Sequence, residues 1–174
     1  VWMAAMTMIY GPLRGLQDML NIITEIDTQI TEMKRVMDEP TNMENILREN
    51  IELANQLGQS LTAVNEAYIG FARQGFDQQQ ALDLTRAALV AANVSDLTAE
   101  EAMNNVTAAI VQFKKEASDA MAIVDAWNEV DNQFAITTKD ISTAMARAGA
   151  TAKTFGVEME EMIGHITAIG VATR

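Results

Sequence analysis

The side chains best suited to chemistry in this 174-residue chain are one histidine and two pairs of adjacent glutamates. Such groups serve as general acids and bases or as metal ligands. His165 stands alone, because the sequence has no second histidine and no cysteine to share a metal ion. Glu100-Glu101 and Glu160-Glu161 occupy neighbouring helical positions about 100° apart, so their carboxylates do not converge on one atom. We therefore predict no catalytic residue and no metal ligand.

Signatures of cofactor binding are also missing from the sequence. No glycine-rich run precedes a Lys-Ser or Lys-Thr helix start, which a phosphate-binding loop needs. Gly164 and Gly170 stand six residues apart and form no dinucleotide fingerprint. Trp2 and Trp127 are better explained as core or interface anchors than as parts of a ligand site. The chain is therefore predicted not to be an enzyme and to need no cofactor.

The composition predicts an all-α fold. Hydrophobic residues make up 49% of the chain but aromatics only 5%, so the core must be aliphatic, with 12 methionines to fill irregular gaps. Two prolines, nine glycines and the lack of period-two alternation argue against a loop-rich or β fold. We expect a long N-terminal helix followed by a compact array of short helices or helical hairpins.

The charge and the chain ends limit the possible partners. A net charge of -12 disfavours specific nucleic-acid binding, which needs clustered Lys and Arg. The acidic surface either keeps a helical protein soluble or faces DNA that slides past it. Residues 1–10 are apolar but too few to span a bilayer, so no membrane contact is predicted. The start at Val1 and the stop at Arg174 inside a helical pattern lead us to expect a piece of a longer protein.

A filled heptad runs from residue 13 to residue 37. Pro12 suits the first turn of this helix, and Pro40 ends it. Two interpretations remain open: a coiled coil between copies of the chain, which implies a homo-oligomer, or an ordinary helix packed on its own domain. The apolar seam consists of Leu16, Met19, Ile23, Ile26, Ile30, Met33 and Met37.

The remainder of the chain consists of short helices that begin with recognisable caps. A cap residue followed three positions later by an acid or glutamine satisfies two free backbone amides. The strongest predicted caps are Thr41, Asp77, Thr98 and Thr137. Weaker ones are predicted at Ser60, Glu116 and Glu158, and helix stops at Gly58, Gly75 and Gly156.

The spacing of these helix starts suggests an internal repeat. Starts just before the caps fall at positions 59, 76, 97, 115, 136 and 157, and the pair at 76 and 97 recurs at 136 and 157. The pattern indicates a duplicated helical unit, or only the caps that any helical protein contains. Ala144, Ala148 and Ala152 form a small-residue stripe that lets another helix approach closely. We divide the chain into 1–40, the apolar segment and heptad helix, and 41–174, a helical module truncated at both ends.

Several phrases of the sequence closely resemble the core region of phage tail tape-measure proteins. Two of them, EIDTQITEMKRVMDEP at 25–40 and ENIELANQLGQSLTAVNEAYIGFARQGFDQQQALDLT at 49–85, precede the clearest matches. Those matches are Asn128, Glu129, Val130, Asn132, Phe134, Thr137, Gly156, Val157, Glu160, Glu161, Ala172, Thr173 and Arg174. The resemblance covers about 25–174, with a departure at 114–116, where the family more often has a glycine or small residue before a serine-like cap.

The resemblance implies a structural protein of a long-tailed phage or prophage. Such proteins scaffold tube polymerisation, set tail length and leave the tube when DNA is ejected. It also implies several identical copies in the tail lumen, assembled in the host cytoplasm. The implied partners are tail-tube, distal-tail or tip, and tail-assembly chaperone proteins. The alternative is a stand-alone helical adaptor that binds a partner helix in a groove between hairpins.

Overall fold

A computed structural model describes residues 2–37 and 42–173 of the chain, with side chains from residue 17 onward. Within these ranges the chain forms eight α-helices and one short 3-10 helix, and it contains no strand. The all-α prediction is confirmed.

The first helix, α1, spans Trp2–Val36. It begins well before the start predicted at Pro12, so that part of the prediction is wrong. A proline inside a helix removes one backbone hydrogen bond and crowds the preceding turn, at a cost of about 3 kcal/mol. The Met- and Ala-containing segment before Pro12 has good helix propensity, which favours the helix in spite of that cost. At 35 residues, α1 is about 52 Å long.

The other helices are much shorter. Their bounds are Met43–Leu57 (α2), Leu61–Arg73 (α3), Gln78–Val94 (α4), Ala99–Phe113 (α5), Ala120–Gln133 (α6), Thr138–Thr154 (α7) and Met159–Ala172 (α8). A 3-10 helix, Ala117–Asp119, leads into α6. The longest of these helices have 17 residues each, or about 26 Å.

Five helices form a continuous row in which each packs on the next: α1, α3, α4, α6 and α7. Helix α2 packs against α3 and α4, α5 packs against α4 and α7, and α8 packs against α7. The helices therefore stack sideways, and the core lies between neighbouring layers. Trp127, Tyr68 and Phe71 are its largest fully buried side chains.

The ends of several helices use left-handed backbone, as the sequence predicts at its glycines. Gly58, Gly75 and Gly156 have φ values of 65°, 89° and 84°. Lys114 takes the same conformation, with φ 54°, at the end of α5. A lysine there is strained, since its Cβ crowds the backbone in this region. The strained residue falls where the sequence departs from the tape-measure pattern.

One constant shift along the sequence relates the last three helices to the three before them. Helices α4 and α7 have equal lengths, and the shift from Gln78 to Thr138 at their starts equals that from Val94 to Thr154 at their ends. The starts of α5 and α8, Ala99 and Met159, are related by the same shift. Helices α3 and α6 follow it to within one position. The structure thus contains a repeating unit of three helices, in agreement with the spacing of the caps.

Candidate interaction surfaces

One acid of each glutamate pair, Glu101 and Glu160, takes part in a hydrogen bond at a helix start and in an ion pair. Glu101 accepts a hydrogen bond from the Thr98 amide (2.9 Å) and pairs with Lys139 of α7 (2.9 Å). The Thr98 amide and then Lys139 lower the pKa of the Glu101 carboxyl. The backbone amide of Glu160 and then Lys115, 3.4 Å away, lower the pKa of the Glu160 carboxyl. The contacts of Glu101 and Glu160 thus stabilise the starts of α5 and α8.

His165 lies on the exposed side of α8, with its Nε2 3.5 Å from Glu161 of the same helix. Within residues 17–37 and 42–173, no group of three or more His, Cys, Asp or Glu side chains could hold a metal ion. In the described part of the chain, no helix is both long and apolar enough to cross a bilayer.

The predicted caps lie at the helix starts. Asp77 accepts a hydrogen bond from the Gln80 amide (2.9 Å), Thr98 from the Glu101 amide (3.1 Å) and Thr137 from the Asp140 amide (3.1 Å). All three form reciprocal capping boxes. Helix α2 differs from the prediction, because its cap is Asn42, which accepts from the Asn45 amide. Thr41 lies outside the described residues.

The seam predicted on α1 divides into two environments. In its C-terminal half Met33 is fully buried, and Ile26, Ile30 and Met37 are half-buried. This half packs on α3 of the same chain. In the other half, residues 17–25 are all exposed, and the exposed fractions of Met19 and Ile23 are 60% and 59%. The Leu16 side chain lies outside the described residues.

Within residues 17–25 of α1, the exposed apolar surface is wider than the predicted seam. Leu20 and Ile22 are exposed by 62% and 50%, beside Met19 and Ile23. We call these four residues the α1 apolar patch. Only Asn21 interrupts them along the sequence. Such a broad stripe needs cover from other helices.

A buried chain of amides fixes α1 against α2 and α3. The Asn50 side chain donates to the Asn65 carbonyl oxygen (2.9 Å), and Asn65 donates to that of Gln29 (3.0 Å). Gln29 in turn donates to the backbone carbonyl of Thr62 (3.0 Å). Asn50 and Asn65 are fully buried and Gln29 is 6% exposed. This amide chain links three helices and specifies how α1 sits on the array.

Helices α4 and α7 bury equivalent residues on one face. These pairs, related by the shift between the repeating units, are Ala81 and Ile141, Leu82 and Ser142, Thr85 and Met145, and Leu89 and Gly149. At Gly149 the approach of α5 is close, since a Cβ there would lie 2.9 Å from the Phe113 ring. The two units are therefore packed alike on this face.

The next face differs sharply between the two helices. On α4 it is fully buried and consists of Leu84, Ala87, Ala88 and Ala91. The equivalent residues of α7 are Ala144, Arg147, Ala148 and Thr151, of which the first is half-buried and the others are exposed. We call these four residues the open α7 face. Helix α4 has α6 and the 3-10 helix packed on it, and no helix of residues 42–173 packs in this way on α7.

An apolar groove of about 550 Å³ lies between α6 and α8. Val130 and Phe134 line one side, and Ile163, Thr167 and Val171 line the other. Phe134 and Val171 are each 48% exposed. Sequence reasoning did not find this groove, since it depends on how far apart α6 and α8 lie.

These features define a class: an all-helical module whose distinctive surfaces are exposed apolar helix faces. A family model of phage-related minor tail proteins matches residues 51–172, which is more than half of the chain. The chain belongs to this family and is a phage tail protein. The family favours a structural role in the virion tail over a catalytic one. No solved structure matches the chain.

Proposed function

We propose that this chain is the core segment of a tape-measure protein, the scaffold that sets tail length while the tube assembles. Family membership, covering residues 51–172, supports the part of the proposal that places the protein in the phage tail. The sequence phrases between residues 25 and 174 that resemble the tape-measure core support the specific role as a tape measure. On this proposal the protein works in the tail lumen and assembles in the host cytoplasm, with tail-tube, distal-tail or tip, and chaperone proteins as partners.

The stacked helices support a role in assembly or anchoring rather than in measuring length. A protein gains most length as a continuous helix, at about 1.5 Å per residue. After α1, the longest described helices, α4 and α7, have 17 residues each. The measuring length would then lie elsewhere in the parent protein. On this proposal the helices of residues 42–173 form the module that holds the scaffold to its partners.

Several copies of the chain would assemble through the α1 apolar patch. The four side chains of this patch are at least half exposed in the single chain, so self-association would remove them from water. The seam residues Met33 and Met37 are excluded from this interface, because they pack on the core of their own chain. The self-associating segment on this proposal is therefore the stretch of α1 around residues 19–23.

Sedimentation equilibrium tests the self-association. Ile23→Asp should convert an oligomer to a monomer, because a charge buried at the interface would be uncompensated. It should leave thermal unfolding of the monomer unchanged, because Ile23 is exposed in the single chain. Thr24→Asp, an exposed change on the same helix turn, is the matched control. An unmutated chain that stays monomeric at high concentration contradicts the proposal.

Tail length measured by electron microscopy tests the assembly role. A phage whose protein lacks residues 76–135 loses one repeating unit, and α3 is then followed directly by the start of α7. We expect no tails, or tails of erratic length. A clean shortening by about 90 Å, the rise of roughly 60 helical residues, would instead identify this segment as part of the ruler.

The apolar groove between α6 and α8 favours a second candidate, a helical adaptor that binds a partner helix. Its walls are apolar and partly exposed. Gly164→Trp would fill the groove, because no atom lies within 4 Å of an added Cβ. An adaptor should lose its partner and leave tail length unchanged, whereas loss of tails with this variant would count against the adaptor role.

A further inference from the structure

Counted from α1, each repeating unit has a first, a second and a third helix. The second helices α2 and α5 both have 15 residues. The third helices α3 and α6 follow them and pack back on the first helices of their units, α1 and α4. Helix α7 is the next first helix and α8 the next second helix. Within the described residues, this last unit has no counterpart of α3 and α6.

The first helix of each completed unit has one face covered. On α4 this face is fully buried and consists of Leu84, Ala87, Ala88 and Ala91. When α1 and α4 are aligned at their last residues, Val36 and Val94, the equivalent residues of α1 are Ile26, Gln29, Ile30 and Met33. All four are buried or half-buried, and Gln29 hydrogen-bonds to Thr62 and Asn65 of α3. The open α7 face takes the same positions on α7 and is mostly exposed.

The second helices show the same difference. Leu53 of α2 and Ala109 of α5 are fully buried, whereas the equivalent residue of α8, Ile169, is 64% exposed. Helix α3 packs against α2, and α6 packs against α5. A single helix placed against both α7 and α8 would therefore cover both exposed faces.

We propose that the open α7 face is the seat of a helix that follows α8 in the parent protein and completes the third unit. In the completed units the third helix starts soon after the second, at Leu61 after Leu57 and at Ala120 after Phe113. The new helix should likewise begin within about ten residues of the end of α8. Such a helix requires a longer parent protein, whatever the role of that protein in tail length.

The two known third helices also predict the residue pattern of the new one. Each buries four residues at the i, i+3, i+4, i+7 spacing of one helix face. These are Val64, Ala67, Tyr68 and Phe71 in α3, and Ala120, Ile123, Val124 and Trp127 in α6. The segment after α8 should carry apolar residues at this spacing.

Hydrogen exchange tests the proposal on two lengths of the protein. One is the 174-residue chain, and the other adds the next 30 or so residues of the parent protein, roughly a connection and one helix. Exchange within residues 144–151 and 166–172 should be slower by about tenfold or more in the lengthened chain, because amides beneath a packed helix open less often.

A substitution on the open α7 face locates the added helix. Ala148→Glu should abolish the slowing, since it would bury a carboxylate beneath that helix. It should leave exchange in the 174-residue chain unchanged, because Ala148 is exposed there. Thr154→Glu is the control, because Thr154 and its equivalent on α4, Val94, are both exposed. It should have the same effect at both lengths.

Any of three results overturns the proposal. The first is equal exchange at the two lengths, or an added segment without an apolar stripe at the stated spacing. The second is an equal loss of slowing with Ala148→Glu and Thr154→Glu, which would place the added helix elsewhere. The third is a dimer of the 174-residue chain, or its complex with a tail protein, that Ala148→Glu breaks and Ile23→Asp does not. Another molecule would then cover the face.

Discussion

Asn65→Ala offers the sharpest test of how the array holds α1. Asn65 is fully buried, donates to Gln29 and accepts from Asn50. Truncation leaves a buried donor on Asn50 and a buried acceptor on Gln29 without partners. Each orphaned group costs about 1–3 kcal/mol, so the expected loss is about 3 kcal/mol after the gain in helix propensity. For a chain of this size that is a fall of roughly 6–12 °C in Tm.

Asn50→Ala should cost less, about 1 kcal/mol, and this difference carries the argument. The Asn50 carbonyl oxygen is buried with no hydrogen-bond partner among the described residues, so truncation removes one unsatisfied group while it creates another on Asn65. Asn104→Ala is the control, because Asn104 is exposed on α5 and alanine is the better helix former.

Thermal unfolding ranks the three variants, and hydrogen exchange locates the effect. Exchange should rise within residues 26–37 in Asn65→Ala, because the amide chain is what ties α1 to α3. Amides in α5 and α7 should change little. If Asn65→Ala and Asn50→Ala lower Tm equally, the hydrogen bonds of the amide chain are not what holds α1 on the array.

Four further predictions use other contacts. Gly149→Ala should destabilise the fold in urea unfolding, since its Cβ would crowd the Gln112 side-chain oxygen and lie 2.9 Å from an aromatic carbon of α5. Gly164→Ala has nothing within 4 Å of the added Cβ, so in the same measurement it should stabilise the fold by up to about 1 kcal/mol. Lys114→Gly should stabilise by about 0.5–1 kcal/mol by relieving the strain at φ 54°. Asp77→Ala should cost about 1 kcal/mol in thermal unfolding, the usual loss for a helix cap. The pKa of Glu101 is lower in the folded state than its unfolded value near 4.5. Its contribution to folding stability is therefore present above the unfolded pKa and is lost as pH falls through the folded pKa. The stability of Glu101→Gln in acid unfolding should lack this pH-dependent loss.

Features that depend on near neighbours in sequence could be predicted. The caps at Asp77, Thr98 and Thr137 each involve a residue three positions away, so the sequence contains both partners. The helix stops at Gly58 and Gly156 depend on one residue that tolerates positive φ.

Features that depend on distant partners could not be predicted. Ile23 and Met33 fit the same heptad equally well, yet Ile23 is 59% exposed and Met33 is fully buried. The difference arises because Met33 is packed into the core beside α3 and Ile23 is not, which periodicity does not reveal. In the same way Gln29, Asn50 and Asn65 look like ordinary surface amides until three helices bring them together.

The stacking of helices also separates two ways in which this segment could affect tail length. Along the row α1, α3, α4, α6, α7, one repeating unit adds two helix layers. Layers are about 8–10 Å apart, so a unit extends the row by about 20 Å, against about 90 Å for the same residues in one helix. Removal of residues 76–135 should therefore shorten tails by about 20 Å if the row itself measures length. An erratic length or a loss of tails is expected if the row instead holds assembly partners. The deletion of one repeating unit therefore distinguishes a role in measuring length from a role in assembly.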